Sequence, residues 1–340
     1  MINRCSILTG TFLLIVHCIS AGLEPDKEPG INGASVDLNP GQETRELGRP
    51  LYRVFTKRDQ GIVDKVITSV QDSRGLMIFG SVNCLLEYDG QRWTSIPIPN
   101  GGMLGSLARD SSGTIWVGGA GEVGALALNG GTYEYKSYTH LLPESERHFG
   151  MIMDVATHGD DVYFLSEKPL LHWSGQHFSV IPLPYEPGCV WRLSSFSGRL
   201  FVHAKHQPFS ELVGDHLVPV LDDPGLRETT VVGAIELTKD KILLVTRDKG
   251  IFKFDGSHLV PFETDADELL TKESYVDLAF SINKDLSVIL VQHRGLVFLD
   301  AAGRIQQTFL EEDGLPSTTK RRNSGVAFRE ARYPAPLCDR

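Results

Sequence analysis

Six turn glycines recur along this chain, each opening a short outer strand-like segment. They sit in Gly90-Gln91-Arg92-Trp93, Gly130-Gly131-Thr132-Tyr133, Gly175-Gln176-His177-Phe178, Gly214-Asp215-His216-Leu217, Gly256-Ser257-His258-Leu259 and Gly303-Arg304-Ile305. The intervals between the first glycines are 40, 45, 39, 42 and 47 residues. Each interval divides into four segments of strand character. A period of about 40–50 residues with four strands per unit is the sequence sign of a β-propeller. The expected fold is therefore all-β: a β-propeller of four-stranded antiparallel blades, with six complete blades visible between residues 66 and 316.

The four segments differ in chemistry, and the differences order them within a blade. The first segments (66–72, 104–110, 153–157, 191–195, 233–237 and 276–280) alternate apolar with small or polar residues. That suits an innermost strand, where neighbouring blades crowd around a channel. The second segments (76–79, 115–117, 162–165, 200–202, 242–245 and 288–291) are nearly continuous apolar runs, which implies burial on both faces. The third alternate, and the fourth are the most polar and carry prolines. Proline belongs on edge strands, where no ladder donor is lost. Asp72-Ser73-Arg74-Gly75 and Asp110-Ser111-Ser112-Gly113 predict tight turns between first and second strands, the aspartate bonding its own turn backbone. Helical periodicity is confined to a short turn at 266–272.

The 340 residues carry a net charge of −10 and no basic stripe. That excludes a nucleic-acid-binding surface of the usual kind. Residues 1–21 read as a signal peptide: Arg4, an apolar stretch from Ile7 to Val16, then Ile19-Ser20-Ala21 at the cleavage edge. Export to the periplasm or the extracellular space follows. Residues 22–50 read as a linker, 51–317 as the propeller, and 318–340 as a basic, non-repeat tail expected to be disordered. Of five cysteines, Cys5 and Cys18 fall in the signal segment. Cys84, Cys189 and Cys338 form no disulfide framework, and Cys84 and Cys189 are expected to be buried small hydrophobes.

Several of these segments resemble a known repeat. Asp110-Ser111-Ser112-Gly113-Thr114-Ile115-Trp116-Val117-Gly118 is similar to the core of the two-component regulator propeller family. Tyr88-Asp89-Gly90-Gln91-Arg92-Trp93 resembles that family's outer hairpin, and Glu312-Asp313-Gly314-Leu315-Pro316 its connector to a following blade. The resemblance covers roughly residues 51 to 316 and is strongest in the first two blades. It implies an extracytoplasmic sensor module of a bacterial signalling protein, often reading glycan fragments. It also implies seven blades and an output domain joined through a membrane span, neither of which this sequence contains.

Strand counting bears on that difference. Leu51-Tyr52-Arg53-Val54-Phe55-Thr56 followed by Asp59-Gln60-Gly61-Ile62 parallels residues 305–309 followed by 313–316, so a lone outer strand precedes six complete units. The expected reading is an incomplete seven-bladed ring, in a frame truncated or shifted after about Thr318. The alternative is a six-bladed ring with a disordered tail. An open ring would expose blades one and six and invite self-association.

Catalytic motifs are absent from the sequence. Gly119-Ala120-Gly121-Glu122-Val123-Gly124 matches a dinucleotide-binding pattern, but a strand follows where a helix N-terminus is required. His172, His177, His216 and His258 fall at repeat-equivalent outer hairpins and read as structural. No metal or other cofactor is expected. The ligand face of a propeller is built from second-to-third-strand loops and blade connectors over the channel. On that basis the candidate ligand-binding residues are Trp191, Arg247, His293, Arg294, Lys205, His206 and Glu122. The expected function is a non-catalytic sensor propeller binding a glycan, a peptide or a protein partner, with membrane contact only through a region outside this chain. The alternatives are a propeller-type lyase or hydrolase, with His293 or His206 as base, and a pure protein-interaction scaffold.

Overall fold

The computed structural model describes residues 66–99, 101–184, 190–238, 241–256, 258–271 and 275–310. The expected signal peptide, linker, lone strand at 51–56, connector at 312–316 and basic tail lie outside the described residues, as does Cys189.

The chain forms six four-stranded antiparallel sheets arranged as blades in a ring. Blade one holds β1 (Thr68–Gln71), β2 (Met77–Gly80), β3 (Cys84–Tyr88) and β4 (Trp93–Pro97). Blade two holds β5 (Leu104–Arg109), β6 (Ile115–Gly119), β7 (Glu122–Asn129) and β8 (Thr132–Ser137). Blade three holds β9 (Ile152–His158), β10 (Asp161–Ser166), β11 (Pro169–Trp173) and β12 (Phe178–Pro182). Blade four holds β13 (Arg192–Phe196), β14 (Arg199–His203), β15 (Phe209–Val213) and β16 (His216–Leu221). Blade five holds β17 (Val231–Thr238), β18 (Lys241–Thr246), β19 (Ile251–Phe254) and β20 (Leu259–Pro261). Blade six holds β21 (Val276–Asn283), β22 (Leu286–Val291), β23 (Gly295–Asp300) and β24 (Ile305–Leu310). Every blade is a meander of consecutive hairpins. The short helix expected near 266–272 is present as Asp267–Thr271, and a second, Pro224–Arg227, was not expected. Asp223 caps the latter, its carboxylate accepting the Leu226 N–H at 2.9 Å.

The turn chemistry explains why the repeat is visible in sequence. Asp110 accepts the Ser112 and Thr114 amides on Oδ1, both at 2.9 Å, and the Trp116 indole N–H on Oδ2 at 2.8 Å. One carboxylate thereby fixes the turn and the first tryptophan of the next strand. Asp72 does the same for its turn, accepting the Arg74 and Leu76 amides at 2.8 Å. Asp89 closes the outer hairpin through the Gln91 and Arg92 amides, next to Gly90 at φ 95°. A side chain is disfavoured at that φ, so the recurring glycine is a backbone requirement.

The first strand of each blade is innermost, as its alternation predicts. Residues of β1, β5, β9, β13, β17 and β21 line one central cavity. The crowding there is tight: a Cβ on Gly105 would collide with the Ile152 carbonyl, and one on Gly233 with the Ala279 carbonyl. The apolar second strands lie between blades. Five buried clusters bridge consecutive blades from one–two through five–six. Two further clusters lie within blade six and within blade one. Among the described residues, no buried cluster joins blade six to blade one. Cys84 is half-buried, beside the blade-one cluster, where full burial was expected.

Candidate functional site

The cavity along the ring axis has a volume of about 360 Å³. That falls in the range of small-molecule sites, about 300–1,000 Å³. Most of its wall is apolar or small: Val70, Leu107, Ala156, Ser194, Gly233 and Ala279 are representative. Four charged residues interrupt this wall: Arg109, Asp154, Arg192 and Asp277.

Three of the four sit at the start of an innermost strand, so they mark the same end of the channel. Arg192 begins β13, Asp277 is the second residue of β21, and Asp154 is the third of β9. The loops after β18 and β22 open at that end too and bring Arg247 and His293. The Arg247 amide donates to the Thr230 carbonyl at 2.9 Å, and its carbonyl accepts the Val276 amide at 2.8 Å, which ties the loop to both connectors. Its guanidinium lies over the exposed Tyr275 ring at 5.4 Å, and its Nη2 stands 3.9 Å from Asp277 Oδ1. The latter distance is beyond hydrogen-bond reach. His293 adopts φ 62°, a left-handed conformation uncommon for residues other than glycine. His206, in the equivalent loop of blade four, does the same at φ 68°.

The charged groups at this end act on one another. Burial raises the Asp277 pKa above the ordinary carboxylate value, although Arg247, His293 and Arg192 each pull it down. Burial lowers the Arg192 pKa, Arg247 lowers it further, and Asp277 offsets part of the effect. Among the described residues no hydrogen bond or ion pair engages the Arg192 side chain.

Of the seven residues named from sequence, the structure brings Arg247 and His293 together around Asp277. Lys205 and His206 stand in the loop after β14, where the His206 amide donates to the Arg227 carbonyl at 2.7 Å. Arg294 is exposed in the loop after β22. Trp191 is 5% exposed and belongs to the apolar cluster between blades three and four. Glu122 is 1% exposed. Its Oε1 accepts hydroxyls from Tyr135 at 2.9 Å, Thr139 at 3.1 Å and Ser137 at short range. Both side chains are committed to the interior. Arg192, Asp277 and Tyr275 were not named from sequence. The signal for the first two was a charge in an innermost strand otherwise built of small and apolar residues.

The glycine-rich stretch at 119–124 runs from β6 into β7 with no helix, as expected. His172 stacks on Tyr163 at 4.5 Å, with its ring nitrogens near Asp161 and Asp215 at 3.0 and 3.1 Å, an outer-surface contact of blades three and four. Among the described residues no group of three His, Cys, Asp or Glu is placed to hold a metal ion. Among them, too, no helix is long and apolar enough to cross a membrane.

The fold and this channel define a propeller with a ligand-sized axial cavity, and solved structures agree on the fold. The extracellular domain of a putative one-component system, BT4673 from B. thetaiotaomicron, matches with a TM-score of 0.55 at 14% identity, over 76% of this chain and 35% of that one. The same extracellular domain, described as that of a putative hybrid two-component system, matches with a TM-score of 0.53 at 13% identity, over 75% and 36%. YCF48 bound to a D1 peptide matches with a TM-score of 0.55 at 14% identity, over 74% and 83%. The chain thus spans about a third of the BT4673 domain. No protein-family profile and no curated protein sequence matches it.

Proposed function

We propose that this chain is the ligand-binding propeller of an exported bacterial sensor, and that a small ligand enters the channel at the Arg192–Arg247 end. The observation that carries this reading is an axial cavity of about 360 Å³ whose one end gathers two arginines and two aspartates in an otherwise apolar wall, with an exposed tyrosine beside it. A purely structural channel has no use for a half-buried guanidinium that no hydrogen bond engages among the described residues. The similarity to an extracellular sensor domain supports the sensor role, and the signal-like segment at 1–21 supports export. The similarity to a propeller solved with a peptide supports a peptide as one class of ligand; a glycan fragment is the other. The chain acts without catalysis in this reading.

Thermal denaturation of the purified protein against a broad panel of oligosaccharides and short peptides tests it. Ligand that binds only the folded state raises the melting temperature by mass action. At least one class should do so in a concentration-dependent manner. A flat response across the whole panel contradicts the proposal.

A further inference from the structure

We infer that the channel end seats a carboxylate of the ligand on the guanidinium groups of Arg192 and Arg247. The inference rests on the ligand-binding reading above and names the chemistry of the group bound.

Arg192 supplies the main argument. Arg192 lines the cavity, and among the described residues no hydrogen bond or ion pair engages its side chain. A guanidinium stays charged in proteins and presents a planar fork of donors that matches a carboxylate edge to edge. The nearby carboxylate does not meet this demand. Asp277 acts on Arg192 only through space, its ion pair at 3.9 Å goes to Arg247 and is beyond hydrogen-bond reach, and burial disfavours its charged form. The other cavity carboxylate, Asp154, accepts the Leu193 amide at 3.2 Å.

At this end Arg192 and the bordering Arg247 stand beside Asp154 and Asp277, while Arg109, the last residue of β5, lies at the far end of the channel. With two carboxylates already there, a single carboxylate suits the two guanidiniums better than a dianion such as a phosphate monoester, which would meet both aspartates with surplus charge. Tyr275, half-exposed with Arg247 over its ring, offers a flat apolar face next to the anion position. A cavity of this volume takes one or two sugar rings or a short peptide. The carboxylate could therefore belong to a sugar acid or to a peptide terminus.

Titration calorimetry on the full chain separates these. The probes are galacturonic acid against galactose, and trialanine with a free carboxyl terminus against its amide. At least one acidic probe should bind, with its neutral counterpart at least about 10-fold weaker; which pair responds identifies the source. Arg192→Gln should weaken that acidic probe about 10- to 100-fold. Arg192→Lys, which keeps the charge and loses the fork, should fall between. Asp277→Asn should tighten it by removing a competing charge. Circular dichroism establishes that each variant is folded, and Asp277→Asn gives a second, opposite-signed readout if Arg192→Gln is not.

Equal binding of acidic and neutral probes overturns the carboxylate assignment and leaves the ligand-binding reading standing. So does an acidic probe whose affinity is unchanged by Arg192→Gln. Failure of both acidic probes to bind more tightly than about 10 mM overturns the assignment as well. The ligand-binding reading itself falls only if the broad panel also fails.

Discussion

Blade two and the seam between blades four and five both draw polar side chains into the fold, and they treat them in opposite ways. In blade two, Glu122 is surrounded by hydroxyls at alternate positions: Tyr135 and Ser137 of β8 and Thr139 just beyond it. Burial and the adjacent carboxylate push the Tyr135 pKa up, so the phenol remains a donor. The neighbouring seam with blade one is equally complete. Asp72, 2% exposed, accepts from its own turn, from the Arg74 Nε–H at 2.8 Å and from the Tyr133 hydroxyl of blade two at 3.0 Å. Arg74 in turn lies over the Tyr133 ring at 4.8 Å.

The seam between blades four and five is a stack of aromatics, Phe196 on Phe201 at 4.1 Å and Phe201 on Phe209 at 5.2 Å. Two polar groups stand at its channel-mouth end, on residues that pair across β13 and β14: Arg192 and His203. Among the described residues no hydrogen bond or ion pair engages the Arg192 side chain, and no hydrogen bond of ordinary geometry reaches either ring nitrogen of His203. A buried polar group with all its partners specifies structure; one without them costs stability, and where it also lines a cavity it offers a ligand a partner.

The largest effect expected from this contrast is at Glu122. Glu122→Ala removes one acceptor shared by three hydroxyls and should cost about 4 kcal/mol, read as a lower denaturant midpoint. Ligand binding by the folded fraction should be unchanged. A loss under about 1 kcal/mol would show that the hydroxyls are not held by this carboxylate.

His203 comes next and separates burial from access to the channel, because it is 2% exposed and does not line the cavity. Burial pushes its pKa down to about 4 from 6.5, with the Thr229 backbone opposing slightly. As pH falls the unfolded chain takes up this proton first. Its contribution is therefore full above about pH 6.5 and lost progressively toward about pH 4, amounting to about 3 kcal/mol. His203→Phe should flatten the stability profile across that window, with the neighbouring Phe209 offering an aromatic contact. A variant that loses stability as steeply as the parent between those values would place the acid sensitivity elsewhere.

The fold was legible because its signals are local. Asp110 and Trp116 are six residues apart and joined by a hydrogen bond, so the motif spells out its own contact. Gly90, Gly175 and Gly256 adopt positive φ at the outer turns, so their spacing is the blade spacing. The site was legible only in part, because it is assembled from blades four, five and six and no local pattern spans them. Arg247 and His293 could be named because loop position alone places them. Trp191 was one residue away from the side chain that reaches the cavity: strand side chains alternate, so Trp191 enters the core of blades three and four while Arg192 faces the other way. Glu122 opens β7, directly after the turn from β6. The alternation of Tyr135, Ser137 and Thr139, all able to donate to one carboxylate, was the sign that it turns inward.

The most direct test is the sign of a stability change. Arg192→Met and Glu122→Gln each remove one charge, and both can be melted without ligand against the parent protein. Removing a half-buried guanidinium that no hydrogen bond engages among the described residues should stabilise the fold by about 1 kcal/mol, a rise of about 2–4 °C for a domain of this size. Glu122→Gln should lower the melting temperature. A lower melting temperature for Arg192→Met would mean that Arg192 is a structural group like Glu122, and would contradict the assignment of the channel end as a ligand site.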